Sequence, residues 1–376
     1  MRLLPIVGAL SAVALLTACS ADSGRAEIPA TSPPPPAAQL RADIDALLRA
    51  GATGVIVTVT DQGRDQVFTG GVADRASGRS IPEQPVQQVR VGSITKTFTS
   101  ALVLQLVGEG RIRLDEPVET YLPGLLRGEG IDGHDITVRQ LLRHQSGLPD
   151  IDEDERLDEY RMAVENRTVT PAQEVEYATG RPAEFAPGTH TRYSNTNYTV
   201  AGILIEKVTG ATYSEELDRR ILKPLNLRDT YLPATGEHEI RGPHPTGYAT
   251  VAGTLTDVTR VEPSAPWAAG ALVSTGPDLN RFYSRLRAGE VVPPAQLRDM
   301  YDSVSLEGAP GLEYGLGIRT KKLPCGTEYS GHTGGIYGYT TLAGTTTQGR
   351  AVTVAVTGDT PTLDQLDAFL PHTLCP

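Results

Sequence analysis

Apolar and polar positions change rhythm several times along the chain. Residues 3–16 form an apolar run behind a single charge, Arg2, whereas residues 20–39 (SADSGRAEIPATSPPPPAAQ) offer only one large apolar side chain, Ile28, to a core. The first stretch has the anatomy of an export leader and is too short to span a membrane. The second cannot offset its ordering entropy and reads as an extended, partly polyproline spacer. A short amphipathic helix is expected over residues 40–49. GVIVTVTD and DQVFTGGVAD then read as a hairpin turning at Gln62-Gly63. TKTFTSALVLQLVGEG has a helical pattern that Gly108 and Gly110 stop, and TVRQLLRH, TPAQEVEYATG and TVAGILIEKVTG repeat that pattern between Gly/Pro loops. Thr275-Gly276-Pro277-Asp278 has the form of a capping box opening the helix DLNRFYSRLRAG. Strand patterns return in YGLGIRTKK, YGYTTLAGT and AVTVAVTG, and a closing helix is expected over residues 363–374.

Strands at both ends around a helical middle predict an α/β (α+β) protein, with an antiparallel sheet and flanking helices assembled from the two termini. The expected organisation is a leader over residues 1–18, a linker over 19–39 and a catalytic body over 40–376. Within the body, an α/β lobe is expected from about 40–92 and 255–376, and a mainly helical lobe from about 93–254. A cleft between two such lobes is where a site is expected.

Composition narrows the chemistry. The formal charge of −11 gives no basic face for nucleic acid. The densest charge run, DIDEDER at residues 150–156, reads as a solvated loop. Seven histidines lack H-x-x-x-H spacing and no C-x-x-C is present, so neither a metal site nor a cofactor is expected. Leu16-Thr17-Ala18-Cys19 resembles the bacterial lipoprotein box, which implies lipidation of Cys19 and a membrane anchor on the outer face of the bacterial cell membrane. Of the three cysteines, Cys325 and Cys375 then remain, an even pair for which a disulfide is the default in an exported chain.

Three short stretches carry the candidate chemistry. In VGSITKTF, Ser93 and Lys96 lie one helical turn apart, so an amine can take the proton of a hydroxyl nucleophile if burial keeps it partly neutral. In TRYSNTNY, Tyr193 and Asn195 place a phenol and a carboxamide two residues apart. The phenol can pass a proton, and the amide can hold a substrate carbonyl or steady the lysine. SGHTGGIYGY puts His332-Thr333-Gly334 at the start of an expected strand, whose edge can pair with an extended peptide. Taken singly, each is as readily a helix start, a capping turn and a Gly-rich strand entry.

Together, S-x-x-K, Y-S-N and H-T-G in this order resemble the serine β-lactamase and penicillin-binding protein superfamily. LLRHQSGLPD, FAPGTHTRYSNTNY and WAAGALVSTGPDLNRF are similar to landmark segments of its class C and D-alanyl-D-alanine carboxypeptidase branch. The resemblance covers nearly all of residues 40–376. It implies Ser93 as acylated nucleophile, Lys96 as proton acceptor, Tyr193 as proton shuttle and Asn195 as a substrate contact. It also implies an oxyanion hole from the N–H groups of Ser93 and Gly335, a strand edge lined by His332 and Thr333 that receives the substrate, and the Thr333 hydroxyl and Arg319 as contacts for a substrate carboxylate. His144 is read as a landmark of the fold. Class C enzymes carry lysine where this chain has His332, whose charge is expected to be partial near neutral pH, and the carboxypeptidase branch carries a hydroxyl residue at Gly335. The implied function is a membrane-tethered, monomeric serine D-alanyl-D-alanine carboxypeptidase or transpeptidase that acts on peptidoglycan stem peptides and binds penicillins. A class C-like β-lactamase and an esterase or D-amino-acid amidase are the alternatives.

Overall fold

The computed structural model describes residues 37–307, 309, 311–358 and 363–375. The leader, Cys19 and most of the linker lie outside the described residues. The rest falls within one compact unit, Pro34–Pro376.

Helix α1 (Ala37–Arg49) precedes the hairpin of β1 (Ala52–Asp61) and β2 (Arg64–Asp74). It starts inside the segment read as linker, because Ala37 and Ala38 favour a helix that Leu40, Ile44 and Leu47 then anchor. The hairpin turns at Gln62 (φ 51°) and Gly63 (φ 73°), the paired positive values of a type I′ turn. β3 (Arg79–Ser80) ends this edge. Apart from three small two-stranded sheets elsewhere among the described residues, the other strands are β4 (Val304–Ser305), β5 (Glu313–Tyr314), β6 (Arg319–Lys322), β7 (Glu328–Ile336), β8 (Tyr339–Thr346) and β9 (Ala351–Gly358). They form one antiparallel sheet in the order β4-β5-β6-β7-β8-β9-β1-β2-β3.

Alternation along the central strands sorts the two faces. On one face Val55, Val57 and Val59 of β1 meet α1, and Val352, Val354 and Val356 of β9 share a cluster with Phe369, Leu370 and Leu374 near the end of the chain, each burial contributing roughly 1.5–3 kcal/mol. Ile56 and Ala355 point the other way into the main core. That core is built around α2 (Thr95–Gly108), where every residue from Thr95 to Leu104 is buried. Its hydroxyls are satisfied internally, Thr97 on the Gly317 carbonyl and Thr99 on that of Ala268. Among the helices packed around this core are α3 (Val138–Leu142), α4 (Pro171–Thr179), α5 (Thr196–Thr209), α6 (Trp267–Gly270) and α7 (Gly276–Arg287). Phe98 of α2 stacks on Phe282 of α7 with ring centroids 3.7 Å apart.

Four local expectations change. H-T-G lies well inside β7 rather than at its start, because pairing with β6 begins earlier, at Lys322 opposite Glu328. YGLGIRTKK is split into β5 and β6 by a turn in which Gly317 takes φ 72°. Thr275 caps α7 by accepting the Asp278 N–H, but the Asp278 carboxylate turns to the Thr230 hydroxyl and the Asp229 N–H, leaving half a capping box. The closing helix is two pieces, α8 (Leu363–Asp367) and α9 (Phe369–Leu374), since Pro371 has no N–H to continue the ladder.

Candidate active site

Ser93 sits in a single 3₁₀ turn, Gly92–Ile94, directly before α2, and half-buried. The turn lies hard against β7. A Cβ at Gly92 (φ 52°) would stand 2.7 Å from the Gly335 carbonyl oxygen, and one at Gly334 would stand 1.9 Å from that of Val91. Only glycine permits this approach. It brings the Ser93 backbone and Gly335 to one hollow, where Gly335 is exposed. β6 pairs with β7 only as far as Arg319 opposite Gly331, so residues 332–336 have no strand partner on that side among the described residues.

Lys96 is 0 % exposed and spends its three donor directions on Ser93 Oγ (2.9 Å), Asn195 Oδ1 (2.5 Å) and the Ala269 carbonyl (2.8 Å). Burial lowers its pKa to about 8, with the carboxylates of Asp152 and Asp150 opposing the shift. The Asn195 amide is oriented by its other end, which donates to Asp150 at 3.2 and 3.4 Å. Its Oδ1, like the Ala269 carbonyl, can only accept. A neutral Lys96 therefore donates twice to these two acceptors and turns its lone pair to the Ser93 hydroxyl.

Tyr193 lines the same hollow as Ser93, and its ring lies 4.2 Å from that of His144 and 4.9 Å from the Lys96 ammonium. Burial holds its pKa well above the usual value, so the group is a phenol at neutral pH. Asn195 is committed on both amide atoms to Lys96 and Asp150; of the two uses read for it, steadying the lysine is the one this arrangement makes.

Arg319, 8 % exposed, donates through Nη1 to Thr333 Oγ1, and its buried Nε has no hydrogen-bond partner among the described residues. With Tyr193, Tyr314, Leu306 and Ala309 these residues line a hollow of about 360 Å³. His332 reaches the same hollow but is 2 % exposed, and burial with the Arg319 and Lys96 cations holds its pKa well below the ordinary value. The partial charge expected of it is therefore corrected: the ring is neutral. Cys325 and Cys375 are paired with Cα atoms 5.9 Å apart.

Two contributors escaped sequence reasoning. One is the Ala269 carbonyl from the WAAG segment. The other is the acidic run 150–156, which is not merely a solvated loop: Asp150 accepts the Asn195 amide and backbone N–H, and Asp152 lines a narrow slot of about 40 Å³ with Ser93 and Glu159. Asp152 is exposed at the slot mouth, yet the protein around its carboxyl group, reinforced by Asp150, raises it to about 6, and desolvation, reinforced by Asp152, raises the half-buried Glu159 to about 7. Ser93 thus divides an acidic slot from a hollow that carries a guanidinium.

A family model described as Beta-lactamase matches residues 40–371. The chain is 36% identical to a D-stereospecific amidohydrolase from Streptomyces sp., covering 91% of this chain and 99% of that one with a TM-score of 0.82. It is 26% identical to the D-amino acid amidase of Ochrobactrum anthropi SV3, over 89% and 97% of the two chains with a TM-score of 0.76. It is 29% identical over 189 residues to the D-alanyl-D-alanine-carboxypeptidase/endopeptidase AmpH of Escherichia coli K12, 49% of this chain and 46% of that protein. The chain spans less than half the length of such curated relatives.

Proposed function

The chain belongs to the beta-lactamase family and is a serine hydrolase, and from that premise we propose that it is a D-alanyl-D-alanine carboxypeptidase working through an acyl-enzyme on Ser93. The observation that carries the mechanism is the Lys96 amine, whose two acceptor-only neighbours leave its lone pair for the Ser93 proton. Neutral Lys96 takes that proton as Ser93 Oγ bonds to the scissile carbonyl carbon. The oxyanion forms between the N–H groups of Ser93 and Gly335. As the C–N bond breaks, the Tyr193 phenol gives its proton to the leaving amine, and the Lys96 ammonium, which took up the Ser93 proton, returns one to the phenolate. Water then releases the acyl group by the reverse route. A phenol that stays protonated suits passing a proton better than storing a negative charge.

The pH profile follows from the lysine. Only its neutral form is active, and that form grows as pH rises through about 8. Acylation by an uncharged aryl ester is expected to increase about tenfold between pH 7 and 9 and then level off. A flat stopped-flow profile over that range would remove Lys96 as the base.

A free carboxylate on the leaving group would meet Arg319 and Thr333 and satisfy the guanidinium's buried, unpartnered Nε. Arg319→Ala is therefore expected to lower kcat/KM for a D-Ala-D-Ala peptide by roughly 30-fold to several thousandfold, the ~2–5 kcal/mol of a lost enclosed charge pair. Its C-terminal amide never made that pair and should lose little. Equal losses on both substrates would argue against the carboxypeptidase assignment.

The acidic slot favours a second reading. Asp152 and Glu159 suit a free ammonium on the acyl residue, as in a D-amino-acid amide. Turnover of the peptide acid, its amide, a D-amino-acid amide, a cephalosporin and an aryl ester, measured side by side, ranks carboxypeptidase, amidase, β-lactamase and esterase. Residues 1–19 support export with a lipid on Cys19 and attachment to the outer face of the cell membrane, and the Cys325–Cys375 pair suits that oxidising side.

A further inference from the structure

We propose that His144, Tyr314 and His332 are positioning residues, a one-directional hydrogen-bond relay of fixed tautomers that holds Tyr193 on one side of the hollow and Thr333 on the other. The role assigned to Tyr193 rests on the serine acyl-enzyme reading; the relay itself rests on geometry alone.

The relay begins at the backbone N–H of Ser194, next to Tyr193, which donates to His144 Nδ1 at 3.2 Å. The Asn197 amide reaches the same nitrogen at 3.3 Å, and it does so with its NH₂ group because the Ser146 hydroxyl donates to its oxygen at 2.5 Å. His144 Nδ1 is therefore an acceptor, and the hydrogen of this buried ring is on Nε2, which faces the Tyr314 hydroxyl oxygen at 3.1 Å. At the far end, His332 Nδ1 lies 2.5 Å from the Thr333 carbonyl oxygen, which can only accept. The His332 hydrogen is thus on Nδ1, its Nε2 is an acceptor, and the Tyr314 hydroxyl donates to it across 3.0 Å.

Every donor meets an acceptor from Ser194 to Thr333, and the two imidazoles are opposite tautomers. Burial keeps both neutral, with Lys96 and Arg319 disfavouring a further charge. A ring proton on the wrong nitrogen breaks links at both of its ends. His144 transmits this order to Tyr193 by ring contact at 4.2 Å, and also packs on Tyr314 at 4.8 Å and Tyr198 at 5.4 Å. Thr333 carries it to the hydroxyl that Arg319 holds. His332 thereby serves the site without contributing a positive charge.

Nitrogen-15 NMR of the substrate-free protein at pH 6 to 8 is expected to show His144 protonated on Nε2 and His332 on Nδ1, both neutral. Tyr314→Phe keeps the ring and its edge-on packing but deletes the central link. It should mix the tautomers and lower kcat roughly 10- to 100-fold with KM little changed, as misplaced reacting groups do. His332→Asn keeps a donor near the Thr333 carbonyl and should be less impaired than His332→Ala. An imidazolium at pH 7, equal tautomers in the wild-type protein, or an unaltered kcat in Tyr314→Phe would overturn the relay. The spectra need no substrate, so they stand or fall separately from the carboxypeptidase assignment.

Discussion

Penicillin is expected to add its whole mass to the peptide containing Ser93, and Ser93→Ala is expected to lose both the adduct and turnover. Attack on a β-lactam carbonyl breaks the ring C–N bond but expels nothing, because the amine stays tethered to the acyl group. Ser93 has its hydroxyl against Lys96, and Tyr193 and Gly335 line the same hollow. Removing the nucleophile of such a unit costs on the order of 10⁶ in kcat, and the residual rate comes from the oxyanion donors and substrate binding. Intact-protein mass spectrometry followed by peptide mapping reads the result. An adduct of undiminished yield on Ser93→Ala would place the nucleophile elsewhere.

Lys96→Met is expected to reduce acylation by ~10²–10⁴ while leaving the protein as stable as before or more so. The thioether fills the lysine's volume without its desolvated amine, although Asn195 Oδ1 and the Ala269 carbonyl lose a donor. These opposing effects make stability nearly neutral, whereas activity has no compensation. Tyr193→Phe should cost a similar factor, and because both groups meet at Ser93 the double variant should lose much less than the product of the single losses. Stopped-flow acylation and thermal melts on the four proteins check both halves. Strictly multiplicative losses would show that the two groups act independently.

Much of this arrangement was legible because its signals are local. Period-two valines announced β1 and β9, Gln62-Gly63 announced the turn, and the one-turn spacing of Ser93 and Lys96 survives any packing. Other features depend on what folds against what. Nothing within residues 150–156 indicates that the backbone is held from below, where the Thr196 hydroxyl donates to the Pro149 carbonyl and accepts the Ile151 N–H. That anchoring sets Asp150 under Asn195. The Ala269 carbonyl is invisible for a different reason, since any residue supplies one. His332 was misjudged because residue type alone gives no burial, and burial decides its charge.

The position of β1 in the sheet has a consequence for the order of events in folding. β1 lies between β2 and β9, so the centre of the sheet joins Ala52 to Gly358 and Val59 to Val352. Closing so long a loop costs entropy that grows with the logarithm of its length, and a fold ruled by such distant pairings is slow to assemble. The hairpin of β1 and β2 can form early, yet the other edge of β1 stays open until residues 351–358 have been made. The sheet is therefore wired against completion until roughly three hundred residues after β1 have followed it, and up to that point β1 is a strand with an unfilled edge.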